Sequence, residues 1–158
     1  MDRSLPWVRF HSLPSSKRYP GNDVDEGILL GRAYILGSAV LGQDADCWLV
    51  ECRPQGLNPP LWRVPLKGAV STTFADGDEG TLWCAHVSMT HWRQGAFDSM
   101  LLAIADEKTG PTLWMDRQTG RIFAPYYSGF DLFPSSADEV EQLRTAYRDW
   151  PSSHPKGL

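Results

Sequence analysis

Apolar positions recur along the chain with two different periods, and the switches between them mark its elements. From Val24 to Val40 they return every three or four residues (Ile28, Leu29, Ile35, Leu36, Ala39), the spacing that lines one side of a helix. Asn22 or Asp23 can cap its start, and Asp23, Asp25 and Glu26 complement the positive end of the helix dipole. Gly42 follows Leu41 where a terminating glycine belongs, so the pattern predicts a helix that starts after Asn22 or Asp23 and runs to about Leu41. Gly27 and Gly31 lie one turn apart inside it, at a cost of about 1 kcal/mol each relative to Ala. The expectation is that they let another element approach closely.

Strand-length alternation follows. Cys47 to Cys52 puts Trp48, Val50 and Cys52 on one side, and Leu61 to Leu66 does the same for Trp62, Val64 and Leu66. Pro65 confines the second to an edge or ends it. Val70 to Phe74 is short and β-branched. Leu82 to Thr90 sets Trp83, Ala85, Val87 and Met89 against Leu82, Cys84, His86 and Ser88. Trp62 and Trp83 are expected to face the core.

Helical spacing returns from Gly95 to Asp106, with Phe97, Met100, Leu101 and Ile104 on one stripe, and Gly110-Pro111 breaks it. Thr112 to Asp116 and Arg121 to Tyr126 flank a hairpin loop ending in Gly120, and Phe130 to Phe133 forms a further strand. Ser136 and Glu139 make a capping box for a last helix striped by Val140, Leu143, Ala146, Tyr147 and Trp150, which Pro151 stops. Pro6, Pro14 and Pro20 exclude a regular helix at the start and predict an irregular arm over residues 1–21, resting on the body through Trp7, Phe10 and Tyr19. Residues 151–158 predict an extended tail. The connectors between Cys47 and Thr90 are too short for helical crossovers, which favours antiparallel pairing. The predicted fold is α+β: a mainly antiparallel sheet with about three helices packed on it, in a single domain over residues 1–158.

Composition narrows the function classes. A chain of 158 residues can bury roughly 70% of its unfolded surface and folds without disulfides or metal. Three cysteines, an odd number, fit reduced thiols and a cytoplasmic protein. The first ten residues hold no apolar signal core, and no stretch approaches the ~18 apolar residues of a membrane span. A net charge of −4 without a basic stripe argues against nucleic acid and anionic membranes as partners and favours a basic protein.

Chemical motifs are sparse. Cys84, His86 and His91 form the densest set of metal-capable side chains, but His91 has the opposite strand parity and no tight cysteine pair accompanies them. Neither a metal nor a cofactor is expected. Asp106, Asp116 and Asp131 stand at the ends of apolar runs, where capping and turns select Asp. No serine elbow or phosphate-binding glycine loop is present, and no catalytic residue is assigned. The run from Arg121 to Phe133 is the best recognition candidate. Tyr126, Tyr127 and Phe130 surround a glycine turn, with Asp131 beside them and Arg121 at its start.

Three segments carry a resemblance: Arg9-Phe10-His11-Ser12-Leu13-Pro14 with Ser16-Lys17-Arg18-Tyr19, Gly120-Arg121-Ile122-Phe123-Ala124-Pro125-Tyr126, and Ser153-His154-Pro155-Lys156-Gly157-Leu158. Together they resemble a family of small uncharacterised bacterial α+β proteins. Those relatives tend to have Asp-Gly-Gly after the proline–tyrosine pair, where this chain has Tyr127-Ser128-Gly129. The layout also loosely resembles SUKH-type immunity proteins, in which a strand pair of glycine, basic, aliphatic and aromatic residues precedes an acidic C-terminal helix. That likeness implies a protein that neutralises a toxin by binding it. The residues therefore favour a non-enzymatic protein-binding module. The alternative is a small enzyme or ligand-binding protein using His86, His91 and an aspartate.

Overall fold

The computed structural model describes residues 4–56, 66–76 and 80–151. In chain order the elements are β1 (Val8–His11), a 3-10 turn (Pro14–Ser16), α1 (Asp23–Leu41), β2 (Asp46–Pro54), β3 (Ala69–Ala75) and β4 (Leu82–His91). Then come α2 (Asp98–Ala105), β5 (Thr112–Asp116), β6 (Ile122–Tyr126), β7 (Gly129–Phe133) and α3 (Ala137–Ala146). The strands form one sheet in the order β1-β7-β6-β5-β2-β4-β3, and each neighbouring pair is antiparallel. The fold is α+β, three helices on a seven-stranded antiparallel sheet in a single domain, as the short connectors predict.

Strand register separates two sides of the sheet. Leu49 lies opposite Trp114, Trp114 opposite Phe123, Phe123 opposite Leu132, and Leu132 opposite Val8. All five are buried, and Phe10 opposite Phe130 adds a second buried pair. This row packs with Leu29, Leu36 and Val40 of α1, Met100, Leu101 and Ile104 of α2, and Val140 and Leu143 of α3. The helices therefore share one side. The other carries Arg9 and Asp131, Ala124, Leu113 and Met115, Trp48, Val50 and Cys52, with no described helix over it.

The helix caps form as their sequences imply. Asn22 Oδ1 accepts from the Asp25 amide at 3.0 Å. Ser136 Oγ accepts from Glu139 N at 3.2 Å, and the Glu139 carboxylate reaches back to the Ser135 amide at 2.9 Å.

Several expectations change. The arm over residues 1–21 is not irregular throughout, because the proline-free stretch between Pro6 and Pro14 supplies β1, which pairs with β7. The buried residues of β2 are Cys47, Leu49, Glu51 and Arg53, so Trp48, Val50 and Cys52 take the helix-free side. Trp83 lies on that side too, half-buried, and the core tryptophans are Trp92 and Trp114. Alternation distinguishes two sides of a strand but does not say which one the helices cover. Gly27 and Gly31 have nothing within 4 Å of a Cβ built on them, and the close approach occurs at Gly37. Helix α2 begins at Asp98, since Gly95 takes a positive φ of 80°. Helix α3 ends at Ala146, where Tyr147 leaves helical geometry at φ −121°. Past it, Pro151 bridges to Phe10. The strand predicted at Leu61–Leu66 lies outside the described residues up to position 65, and the tail does so from position 152.

Candidate functional site

Cross-strand pairing of β1 and β7 sets Arg9 directly opposite Asp131 on the helix-free side. Arg9 Nε donates to Asp131 Oδ1 at 2.6 Å and Arg9 Nη2 to Oδ2 at 2.8 Å, a bidentate fork. The guanidinium also lies over the rings of Tyr126, 4.7 Å from its centroid, and Trp7, at 5.4 Å. Hydrogen bonding to Asp131 pushes the Arg9 pKa further up, so the guanidinium keeps its charge.

Next to this pair the β6–β7 turn folds two tyrosines together. Tyr126 and Tyr127 pack edge to face at 5.7 Å, and Tyr127 stacks on Tyr19 at 5.9 Å. Gly129 makes the turn possible: a Cβ there would overlap the Phe10 carbonyl oxygen and stand 2.8 Å from the Tyr126 hydroxyl. Tyr19 donates its hydroxyl to Glu107 Oε2 at 2.8 Å, tying the N-terminal segment to the loop after α2. That loop is held by the Cys52 amide, which donates to Pro111 O at 2.8 Å, and by Arg53 Nη1, which donates to the buried Thr109 hydroxyl at 3.2 Å.

Between the tyrosines and the 107–111 loop lies a groove of about 520 Å³. Its sheet floor comes from the helix-free side, Cys52, Leu113 and Ala124, with Arg9, Asp131 and Tyr126 at one flank. Burial pushes the Tyr126 hydroxyl pKa up, and the Cys52 thiol pKa likewise. At neutral pH both stay protonated. The Tyr19 hydroxyl is held up chiefly by its bond to Glu107.

Three of the five recognition candidates, Tyr126, Tyr127 and Asp131, meet in this groove. The other two do not. Phe130 is 1% exposed and stacks on Phe123 in the core. Arg121 donates to Ser135 Oγ at 2.9 Å and Glu139 Oε1 at 2.5 Å, bracing the start of α3 beside a separate hollow of about 390 Å³. The groove also uses residues that sequence reasoning passed over: Arg9, Glu107, Leu113 and Ala124. Arg9 had a legible signal, lying between the apolar Val8 and Phe10 in a strand-length stretch.

The sulfur and imidazole set does not converge. His86 shares the helix side with Glu51, its cross-strand partner, and its Nδ1 lies 3.2 Å from Gly68 O. His91 is on the opposite side at the far end of β4, exposed and 2.7 Å from Asp46. Glu51 is fully buried; its Oε2 accepts from Lys67 N at 3.0 Å, and its Oε1 has no hydrogen-bond partner among the described residues. Burial takes the Cys47 thiol up to about 11. No group of three or more His, Cys, Asp or Glu residues placed to hold a metal occurs among the described residues. Asp116 serves the β5–β6 turn, accepting from Gln118 N at 3.3 Å and Thr119 N at 3.2 Å. Asp106 pairs with Lys108 at the surface.

A family profile, the domain of unknown function DUF3885, matches residues 1–155. The chain belongs to the DUF3885 family. No curated protein and no solved structure matches it. In the DUF3885 chain the matched span runs from before β1 to past α3, so every residue lining the groove falls within the family's extent. None of its described helices is long and apolar enough to cross a membrane.

Proposed function

We propose that this DUF3885 chain is a non-enzymatic protein-binding module whose working surface is the groove between Tyr126-Tyr127 and the 107–111 loop. One observation carries the reading: the groove's polar groups are paired with each other over an apolar floor. Arg9 is forked onto Asp131, and Glu107 accepts from Tyr19. A partner that covers the Arg9–Asp131 fork meets charges that already match each other, which lowers the usual penalty for burying ionised side chains. Glu107, bonded to a neutral hydroxyl, leaves a carboxylate for a basic group of the partner. The stacked tyrosines are rigid and amphipathic, as recognition anchors are. A volume of about 520 Å³ suits one or two bulky apolar side chains of a partner.

The partner we infer is a basic protein, which the net charge of −4 attracts at long range. Together with the likeness to SUKH-type immunity proteins, this makes a bacterial cytoplasmic protein that neutralises a basic toxin by direct binding the reading supported best. The alternative, an enzyme built on His86 and His91, has less support. The two imidazoles belong to opposite sides of β4, five residues and roughly 17 Å apart along the strand.

The test is calorimetric titration of the purified chain, alone and as Leu113→Arg, with a panel of basic toxin domains together with any encoded beside its gene. A one-to-one complex of about micromolar affinity or tighter, lost when Leu113 becomes Arg, is expected. Failure of all of them to bind, or binding indifferent to Leu113→Arg, would overturn the proposal.

A further inference from the structure

The sheet ends in two edges that are treated differently. At β1 the outer edge is covered: His11 N donates to Trp150 O at 2.8 Å, and Phe10 bridges to Pro151. That strand is also four residues long and carries Arg9 and His11. At β3 no described residue covers the outer edge, and the bulge between Val70 and Thr72 is its one irregularity. All seven of its residues are exposed, and no described strand lies beyond it. Folded proteins ordinarily guard such an edge with charge, proline or a cover, because its unpaired amides and carbonyls are a template for another strand. β3 reads Ala-Val-Ser-Thr-Thr-Phe-Ala, with no charge and no proline, and leaves Val70 53% and Phe74 44% exposed.

We propose that β3 is a self-association edge, through which two copies of this chain pair β3 against β3 in antiparallel fashion about a two-fold axis. The strand's own chemistry selects a second copy. An uncharged strand pairs with itself without setting like charges opposite each other, and a two-fold interface needs only one self-complementary patch. The register follows from the side that each residue takes. A bulge falls between Val70 and Thr72, and beyond it Thr72 lies opposite Ala85 and Phe74 opposite Trp83 on the helix-free side, with Thr73 opposite Cys84 on the other. Pairing centred on Thr73 sets Thr73 against its own copy and Thr72 against Phe74 twice. Threonine pairs and β-branched–aromatic pairs are among the favourable cross-strand combinations. The bulge restricts regular pairing to the later half of the strand. The interface is therefore small, below about 1,200 Å², and the dimer is weak and concentration-dependent. β4 separates β3 from β2 and hence from the groove floor, so the dimer leaves the groove open.

Sedimentation velocity across concentrations from about 1 µM to about 300 µM, on the wild-type chain, Thr73→Lys and Gln142→Lys, tests this. The wild type is expected to rise from monomer toward twice that mass. Gln142→Lys, which adds the same charge on the exposed face of α3, follows it, while Thr73→Lys associates on the order of tenfold more weakly or not at all. Amide exchange at low and high concentration supplies a second readout, with protection gained over residues 69–75. A wild-type chain that stays monomeric throughout overturns the proposal. So does a Thr73→Lys variant that dimerises like the wild type, or protection gained elsewhere and not in β3.

Discussion

The indole of Trp92 lies directly over the backbone of Gly37, in the space a side chain at that position would occupy. A Cβ on residue 37 would stand 2.7 Å from Trp92 Cε2. On the next residue of α1, Ser38 Oγ accepts from Trp92 Nε1 at 3.1 Å. Trp92 follows directly after β4, where its amide donates to Ala45 O at 2.9 Å and its carbonyl accepts from Asp44 N at 3.1 Å. Its ring meets those of Tyr34, Phe97, Trp114 and Phe123 at centroid distances of 5.1–5.6 Å. One residue thus joins α1, the β2–β4 end of the sheet and the approach to α2, and Gly37 makes room for it.

Gly37→Ala is therefore expected to destabilise the fold by about 1–3 kcal/mol, the cost of overpacking a filled core. Gly31→Ala should stabilise by about 0.5–1 kcal/mol, because it meets open space and restores helix propensity. Equilibrium urea unfolding measures both. Loss of stability in both variants would mean that helix α1 tolerates no added methyl, and the special role of Gly37 would fall.

Arg9 and Asp131 are held together on adjacent strands, each with 19% of its side chain exposed. A double-mutant cycle with Arg9→Met and Asp131→Asn is expected to return a coupling of about 1 kcal/mol, above that of a fully solvated pair. Arg9→Ala should cost more than Arg9→Met, since it also removes the stem packed beside Tyr126. A coupling indistinguishable from zero would reduce the fork to a surface contact.

Burial, then the charges of Arg32 and Arg9, lower the pKa of His11 in the folded chain. Protonation is then easier in the unfolded state, which takes up the proton first as pH falls. Stability contributed by His11 is complete above its unfolded value of about 6.5 and declines as pH drops through that value toward the folded one. Comparing denaturation midpoints at about pH 7.5 and about pH 5.5, His11→Gln is expected to lose less stability than the wild type. An equal loss in the two proteins would remove His11 as a source of acid sensitivity.

The thiols should differ in reactivity. Cys47 is buried with its pKa raised to about 11, so a thiol reagent at about pH 8 finds almost no thiolate there. Cys52 is partly accessible at the groove floor, but its thiol is also pushed up by burial. Cys47 is expected to react only on unfolding, and Cys52 more slowly than a free cysteine. Prompt labelling of Cys47 in the native chain, located by peptide mass, would contradict the packing around β2.

Much of the element map was open to reading from local pattern. Thr112–Asp116 ends where alternation ends, and α1 spans the residues its spacing marks out. Of the candidate site, Tyr126, Tyr127 and Asp131 were legible as rigid groups near a turn, and they do share the groove. Phe130 was misplaced because it neighbours Asp131 in β7. Adjacent strand residues point to opposite sides, and nothing within β7 says which side receives helices. Arg9 lies 122 positions from Asp131, and Tyr19 lies 88 from Glu107; no local period connects them.

Periodicity, caps and breakers, all short-range properties, determined that this chain makes three helices and an antiparallel sheet, and where most of them begin and end. Which side of the sheet is covered, which glycine yields to a tryptophan and how the β1 edge is closed were decided only when the helices packed. Those outcomes depend on contacts between residues far apart in the chain, whose free energy is shared among many partners and written in no single segment.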